Sequence, residues 1–390
     1  MKKIIYILFV ISLTSCASKK HSHGSEVIQS SNAQVTSTTS SGLSEGSMQR
    51  KSGSYVFVNQ EAYSVEGTLN EVLNKILPKY EGKTVFVELN TTEYAVTAPI
   101  ILPSKILSRV IIEGNNALIK SSVSAVEHVF IKPPDYAHGL TGLADTYQEV
   151  RNISIQGSGG AVKFVGGYQS KVINLLTRSM HSGVEMQFIL QGKVEDCHLI
   201  QPRDFGIKLT TIPGQGKNKS QCNGAFIKDN RIVARDTEFG IYVSNSNLVK
   251  LDGNIIEGGK IDKGVWFYND ANTVLTFEMI RTHFENLEFT DACVYIEGFV
   301  DDFFIEKMYY HGKSGMAVNA ACDKSLSYIH LNDCAWVGGW TFNSFKDQRG
   351  VTNRSTWNFN NTGDFTYIDR VKASFINFPS KVYFNKKRVN

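Results

Sequence analysis

The sequence predicts an all-β chain wound as a parallel β-helix, a solenoid of three-strand coils of about 22–24 residues with an N-terminal capping α-helix. Three observations carry that expectation. A four-residue phrase (small, aliphatic, variable, bulky apolar) recurs eight times between Ala161 and Phe342. The apolar residues inside it sit two apart, which is strand periodicity. A second phrase, with Asn or Asp amid aliphatics, recurs about half a repeat earlier.

The first phrase reads Ala161-Val162-Lys163-Phe164, Gly183-Val184-Glu185-Met186, Gly206-Ile207-Lys208-Leu209, Gly240-Ile241-Tyr242-Val243, Gly264-Val265-Trp266-Phe267, Cys293-Val294-Tyr295-Ile296, Gly315-Met316-Ala317-Val318 and Gly339-Trp340-Thr341-Phe342. The steps are 22, 23, 34, 24, 29, 22 and 24 residues. A unit of this size cannot bury its own apolar face, so neighbours must stack into one core, and the two long steps mark inserted loops. The second phrase includes Val150 to Ile153, Val172 to Leu175, Val194 to Asp196, Ile227 to Asn230, Val249 to Asn254 and Ile329 to Asn332. Its Asn and Asp residues suit left-handed or side-chain-bonded corners, and stacked copies predict a ladder of amide hydrogen bonds.

In chain order, Lys2 and Lys3 precede an apolar run, Ile4 to Leu13, too short to span a bilayer but suited to a secretory signal. The following Leu13-Thr14-Ser15-Cys16 resembles the lipobox of bacterial lipoproteins. That resemblance implies a signal peptide over 1–16, lipidation of Cys16, and a lipid-anchored place in the bacterial cell envelope, at the outer membrane. Residues 17–54 are rich in Ser, Thr, Gly, Gln, Lys and His and read as a flexible tether, in which His21 and His23 make no complete metal site. The β-helix with its cap is expected over 55–350. Thr68-Leu69-Asn70-Glu71 is a capping box, and Leu69, Val72, Leu73, Ile76 and Leu77 make the apolar stripe of one helix, placed to cover the open end of the coil. Residues 351–390, with Trp357, Phe359, Phe365, Tyr367, Phe375, Phe378, Tyr383 and Phe384, read as an aromatic-rich cap; trimerisation, as in tailspike-like proteins, is the other use for such a segment.

With 390 residues, 42% hydrophobic and 20% charged, the chain builds a sizeable core. A net charge of +4 without a long basic run gives no support for nucleic acid as a partner. Cys197, Cys222, Cys293, Cys322 and Cys334 are odd in number and lack CxxC spacing, so most read as small buried apolar residues. No cofactor is implied.

A family resemblance rests on the cap and first coils. The capped helix, Thr84-Val85-Phe86-Val87-Glu88-Leu89, Tyr94-Ala95-Val96, Pro99-Ile100-Ile101-Leu102-Pro103 and the run from Val110 to Ile119 together resemble the opening of the pectate-lyase-like right-handed parallel β-helix superfamily, in the branch shared by phage tailspikes and secreted bacterial polysaccharide-active proteins. The resemblance extends over about Ser54 to Phe342 and is strongest from Thr68 to Ile119. It implies a right-handed coil and a polysaccharide partner. It implies no reaction, because lyases, hydrolases, epimerases and non-catalytic proteins share that fold.

The variable residue of each phrase should face outward: Lys163, Glu185, Lys208, Tyr242, Trp266, Tyr295, Ala317 and Thr341. The next outward row would hold Gln187, Thr210, Ser244, Tyr268, Glu297, Asn319 and Asn343. Tyr242, Trp266, Tyr268 and Tyr295 are therefore the expected glycan-binding residues, an exposed aromatic strip, which the inserted loop from Thr211 to Gln221 either covers or borders. A glycosidase needs two carboxylates about 5 to 10 Å apart, for which Glu185, Asp204, Asp236, Glu238, Asp262 and Glu297 are available. A lyase needs a base and a cation to stabilise an enolate, for which Lys163, Lys208, Arg203, Arg235 and His181 are available. The preferred catalytic set is Glu185, Asp204, Lys208 and Glu297. Asp301-Asp302 and His311-Gly312 resemble polygalacturonase motifs but are ten residues apart and cannot stack. No cluster of three acids at one-coil spacing argues for a calcium site, so no metal site is expected. The expected function is a membrane-anchored polysaccharide-binding β-helix that cleaves an extended glycan as a lyase or glycoside hydrolase. The alternative is a non-catalytic adhesin or structural β-helix.

Overall fold

The computed structural model describes residues 54–390 except 91, 271–275, 299–301, 323–327, 337–339, 345–355, 361–362, 365–372, 377–380, 386 and 389–390. The signal peptide, Cys16 and the tether lie outside the described residues, as do Asp301, Phe365, Tyr367 and Phe378. The described chain is a parallel β-helix with three sheets, the second of which runs from Glu93–Val96 through His198–Ile200, Arg231–Ala234 and Ile255–Gly258 to Ala335–Trp336 and Gly363–Asp364. In the first, Thr84–Leu89 pairs with the start of Arg109–Ser122, and the ladder continues through Tyr147–Ser158, Lys171–Arg178, Lys193–Glu195, Phe226–Lys228, Val249–Asp252 and onward to Lys381–Phe384. The third sheet begins at Ile100–Ile101 and His128–Lys132. It runs through Gly160–Tyr168, Ser182–Leu190, Phe205–Thr210, Thr237–Ser244 and Lys260–Asn269 to the second halves of His283–Gly298 and Tyr309–Cys322. Thr356–Asn360 and Ala373–Ile376 pair in the same sheets, so parallel strands continue beyond residue 350. Trp357 and Phe359 there are buried and extend the inward columns of Ile329 and Leu331.

The inward positions behave as the phrase requires. Val162, Phe164, Val184, Met186, Ile207, Leu209, Ile241, Val243, Val265, Phe267, Val294 and Ile296 are all fully buried. One inward position is exceptional: Lys132, the register partner of Phe164, is buried and donates from Nζ to Val165 O at 2.6 Å. Burial pushes its pKa down to about 7.

The corner between the first and second sheets is a single left-handed residue, filled by Asn152, Asn174, Asp196, Asp229 and Gly253 in successive coils. Asn and Asp tolerate that conformation better than other residues with a Cβ. The expected amide ladder forms: Asn174 Nδ2 donates to Asn152 Oδ1 at 2.9 Å. One residue further on, Asn230 Nδ2 donates to Asn254 Oδ1 at 2.9 Å inside the coil. Cys197 and Cys334 follow the same left-handed corner as buried thiols, donating to the carbonyls of Val172 and Ile305.

The small residue that opens each phrase is there for close approach rather than for a turn. A Cβ on Gly240 would lie 2.5 Å from Gly264 O and 2.9 Å from Ile256 Cδ1, and one on Gly206 would meet Gly240 O and Ile232 in the same way. The third sheet therefore begins pressed against both the next coil and the side chains of the second sheet.

Both ends of the first sheet are closed by antiparallel strands. Tyr55–Val58, paired with Glu61–Ser64, lies against Thr84–Leu89, and Lys387–Arg388 lies against Lys381–Phe384. The cap helix, Leu69–Ile76, starts where expected, with Thr68 N–H donating to Glu71 Oε2 at 3.1 Å. Leu69, Leu73, Ile76 and Leu77 enter the core. Asn74 donates to Pro99 O and accepts from Ile101 N–H, and Asn70 accepts from Thr97 N–H, so the helix satisfies the edge it covers.

Candidate functional site

On the outer face of the third sheet, register pairing sets Lys163, Glu185, Lys208, Tyr242, Trp266 and Tyr295 in one column. The column then departs from the sequence reading. Tyr295 pairs with Asn319, and Asn319 with Asn343, so Ala317 and Thr341 do not continue it. The neighbouring row runs Gln187, Thr210 and, further on, Ser244, Tyr268 and Glu297.

At the N-terminal end of the column Glu185 is buried, its side chain 7% exposed, between two lysines. Lys163 Nζ lies 3.1 Å and Lys208 Nζ 3.9 Å from its carboxylate, and Gln187 Nε2 donates to it at 2.8 Å. Burial pulls its pKa upward, but Lys163, Lys208, His128 and Gln187 outweigh burial, and the net shift is downward. Glu185 is thus held as a carboxylate and is no proton donor. Beneath it, His128 Nε2 is 3.3 Å from Ser182 Oγ and 3.9 Å from Glu185 Oε2. Hydroxyl and carboxylate share one ring nitrogen, and Nδ1 is buried without a hydrogen bond, so this is not a Ser-His-acid relay. Burial pushes His128 down to about 4.

The aromatic part is half-buried rather than an exposed strip. Trp266 is its hub, with ring centroids 4.6 Å from Tyr242, 5.0 Å from Phe239, 5.9 Å from Tyr295 and 6.3 Å from Tyr268. Rings stacked in parallel along a ladder show only their edges. Here Trp266 and Tyr295 stand at 83°, an edge-to-face contact rather than a parallel stack. Lys263 Nζ sits 4.9 Å from the Trp266 ring and 5.0 Å from that of Tyr295. Glu297 lies among these tyrosines, and its charge helps to raise the pKa of Tyr295 and Tyr242, after burial as the main cause. The loop from Thr211 to Gln221 borders this cluster: Lys217 pairs with Asp270, which accepts from Tyr268 Oη at 3.0 Å. Ile212, Leu143, Val165 and Phe188 form a small apolar cluster apart from the main core.

One grouping was not expected from sequence. Asp204, Glu238, Asp262 and Asp291 each stand two residues before the opening residue of a phrase, and the coils stack them into an acidic ladder. Asp204 and Glu238 are neighbours on adjacent coils. Burial, the adjoining Asp204 carboxyl group and the charge of Asp262 raise the pKa of Glu238, while Lys263 opposes them. Lys263 Nζ binds Asp262 at 2.7 Å and Asp291 at 3.4 Å, joining the ladder to the aromatic hub. Beside the ladder, at the corner between the second and third sheets, Ser179, Gln201, Arg203, Arg235 and Asp236 line a cleft of about 330 Å³.

The four preferred catalytic candidates therefore fall in three places. Glu185 and Lys208 share the basic cluster, Asp204 belongs to the acidic ladder, and Glu297 lies among the tyrosines. Among the described residues no group of three or more His, Cys, Asp or Glu side chains is arranged to hold a metal ion.

No family model matches the chain, and no curated protein does. Solved structures do. The A-module of the mannuronan C-5 epimerase AlgE6 of Azotobacter vinelandii is 10% identical, with a TM-score of 0.50, over 82% of this chain and 95% of that one. A tailspike, gp42 of an Acinetobacter phage, is 10% identical with a TM-score of 0.51, over 81% and 60%. ORF18 of Geobacillus virus E2 is 16% identical with a TM-score of 0.42, over 81% and 56%. The chain spans less than two thirds of the length of either viral protein. The chain is a right-handed parallel β-helix protein, similar in fold to a mannuronan C-5 epimerase module and a phage tailspike.

Proposed function

We propose that the chain binds an extended polysaccharide along the third-sheet face and hydrolyses it at the acidic ladder. The observation that carries this is the Asp204–Glu238 pair: two carboxyl groups on adjacent coils, one with its pKa raised by burial and by the other, next to an aromatic hub. Successive coils are roughly 4.8 Å apart, at the close end of the range in which two carboxyl groups cleave a glycosidic bond. Glu238 donates its proton to the leaving oxygen as the glycosidic C–O bond breaks, and a neighbouring ladder carboxylate attacks the anomeric carbon to form a glycosyl ester that water then hydrolyses. The similarity to an epimerase of mannuronan and to a tailspike supports a glycan as the partner. An adhesive or structural reading draws on Lys263, whose ammonium already occupies space over Trp266 and Tyr295.

Incubating the chain with neutral and acidic polysaccharides separates these readings. New reducing ends without unsaturated-product absorbance support hydrolysis, absorbance supports a lyase instead, and binding with neither signal supports an adhesin. Trp266→Ala should lower affinity at least tenfold while far-UV circular dichroism stays unchanged; unchanged affinity would remove the aromatic cluster from the binding face.

We also propose that Cys16 anchors the chain in the envelope, supported by the lipobox-like residues Leu13 to Cys16. Labelled fatty acid should be incorporated into the chain and lost in Cys16→Ala. Equal labelling of both would refute the anchor.

A further inference from the structure

Two kinds of lysine stand on the third-sheet face, and their surroundings are opposite. Lys263 is saturated: its side chain is 13% exposed, with two carboxylates and aromatic rings around one ammonium. Lys163 and Lys208 instead share one carboxylate between two ammonium groups, and among the described residues neither pairs with a second acid. With His128 neutral, the cluster keeps one uncompensated positive charge.

Its layering is also directional. Glu185 lies beneath with 7% of its side chain exposed, while those of Lys163 and Lys208 are 30% and 29% exposed. The acid fixes the cations from below and leaves ammonium donors toward solvent. Packing alone does not call for this arrangement, since a buried ion pair seldom stabilises a fold more than apolar side chains of the same volume. The next coils fill the same column with Tyr242 and Trp266. Lys208 is the register partner of Tyr242, and its Nζ stands 5.0 Å from the Phe205 ring, so charge and apolar surface adjoin on one continuous path.

The geometry points to a subsite at Lys163 and Lys208 for one anionic substituent of the polysaccharide, a uronate carboxylate or a sulfate ester, carried on a sugar beyond the aromatic cluster and away from the acidic ladder. Lys208 lies on the strand Phe205–Thr210 and Asp204 just before it; four residues are at most roughly 13 Å at strand rise, so the charge is read at a distance from the bond to be cut. This inference rests on the glycan-binding reading above.

The test is titration calorimetry on the full chain with size-matched neutral, carboxylated and sulfated oligosaccharides, at low and high salt. The wild type should bind one anionic series at least tenfold more tightly than the neutral one, with salt eroding the preference. In the Lys163→Met/Lys208→Met double variant the preference should fall to within about twofold, while neutral affinity holds. Glu185→Gln, which removes the compensating acid, should keep or increase the preference, and it serves if the double variant fails to fold. Comparing the carboxylated and sulfated arms names the substituent. Equal wild-type affinity for neutral and anionic series, a preference that survives in the double variant, or its loss in Glu185→Gln would overturn the subsite. Failure of every oligosaccharide to bind would instead sink the glycan reading beneath it.

Discussion

Gly240→Val lowers the unfolding free energy by about 3 kcal/mol or more, the upper range for overpacking a close-packed core, and chemical denaturation shows it as a shifted midpoint. The valine Cβ would lie 2.5 Å from the carbonyl of Gly264, and backbone of the adjacent coil has nowhere to retreat. The Ile256 side chain at 2.9 Å closes the other direction. The surface substitution Lys250→Met, on the outward side of the first sheet, is the control and should stay within about 0.5 kcal/mol. A Gly240→Val midpoint equal to the control would show that the coil spacing is soft and that the small residues do not set it.

Glu238→Gln should reduce glycan hydrolysis by about 10²- to 10⁴-fold, the usual worth of a positioned acid, and leave binding in place. The pH profile provides a second readout. Glu238 has its pKa raised above the ordinary 4.5 by burial and by Asp204, so it keeps its proton to higher pH than an isolated glutamate. Activity that needs this proton falls as pH rises through the raised value. The same raised pKa contributes stability that is complete below pH 4.5 and lost as pH rises through the folded value. Any residual activity of the Gln variant should lack that alkaline decline. A variant with the wild-type rate and profile would exclude Glu238 as the donor.

The coil was legible because its inward residues obey two constraints at once, a period of two along the strand and a period near two dozen along the chain. Val184 and Met186 satisfy both, and so do Ile241 and Val243. The lysine–glutamate–lysine alternation at Lys163, Glu185 and Lys208 followed directly from the same column. Ala317 was misplaced because a two-residue slip preserves inward and outward alternation, so nothing in Gly315-Met316-Ala317-Val318 distinguishes the two registers. The acidic ladder escaped notice because it mixes one Glu with three Asp and a 34-residue step interrupts it; counting two residues back from Gly206, Gly240, Gly264 and Cys293 finds it. His128 had no signal, since its strand lacks the phrase and only pairing with Gly160 brings it to Ser182 and Glu185. The half-buried state of Trp266 was equally hidden, because it depends on where Lys263 sends its ammonium.

The loop from Thr211 to Gln221 lies between two coils whose inward residues meet as if it were absent: Ile207 pairs with Ile241 and Leu209 with Val243. Lengthening such a loop costs little, about 0.6 kcal/mol for each doubling. Stability and recognition are therefore open to separate selection in this chain. A lineage can redraw the rim beside Tyr268 by insertion while every buried column is inherited unchanged, so relatives with the same core and different rims are the expected signature of changing hosts or changing glycans.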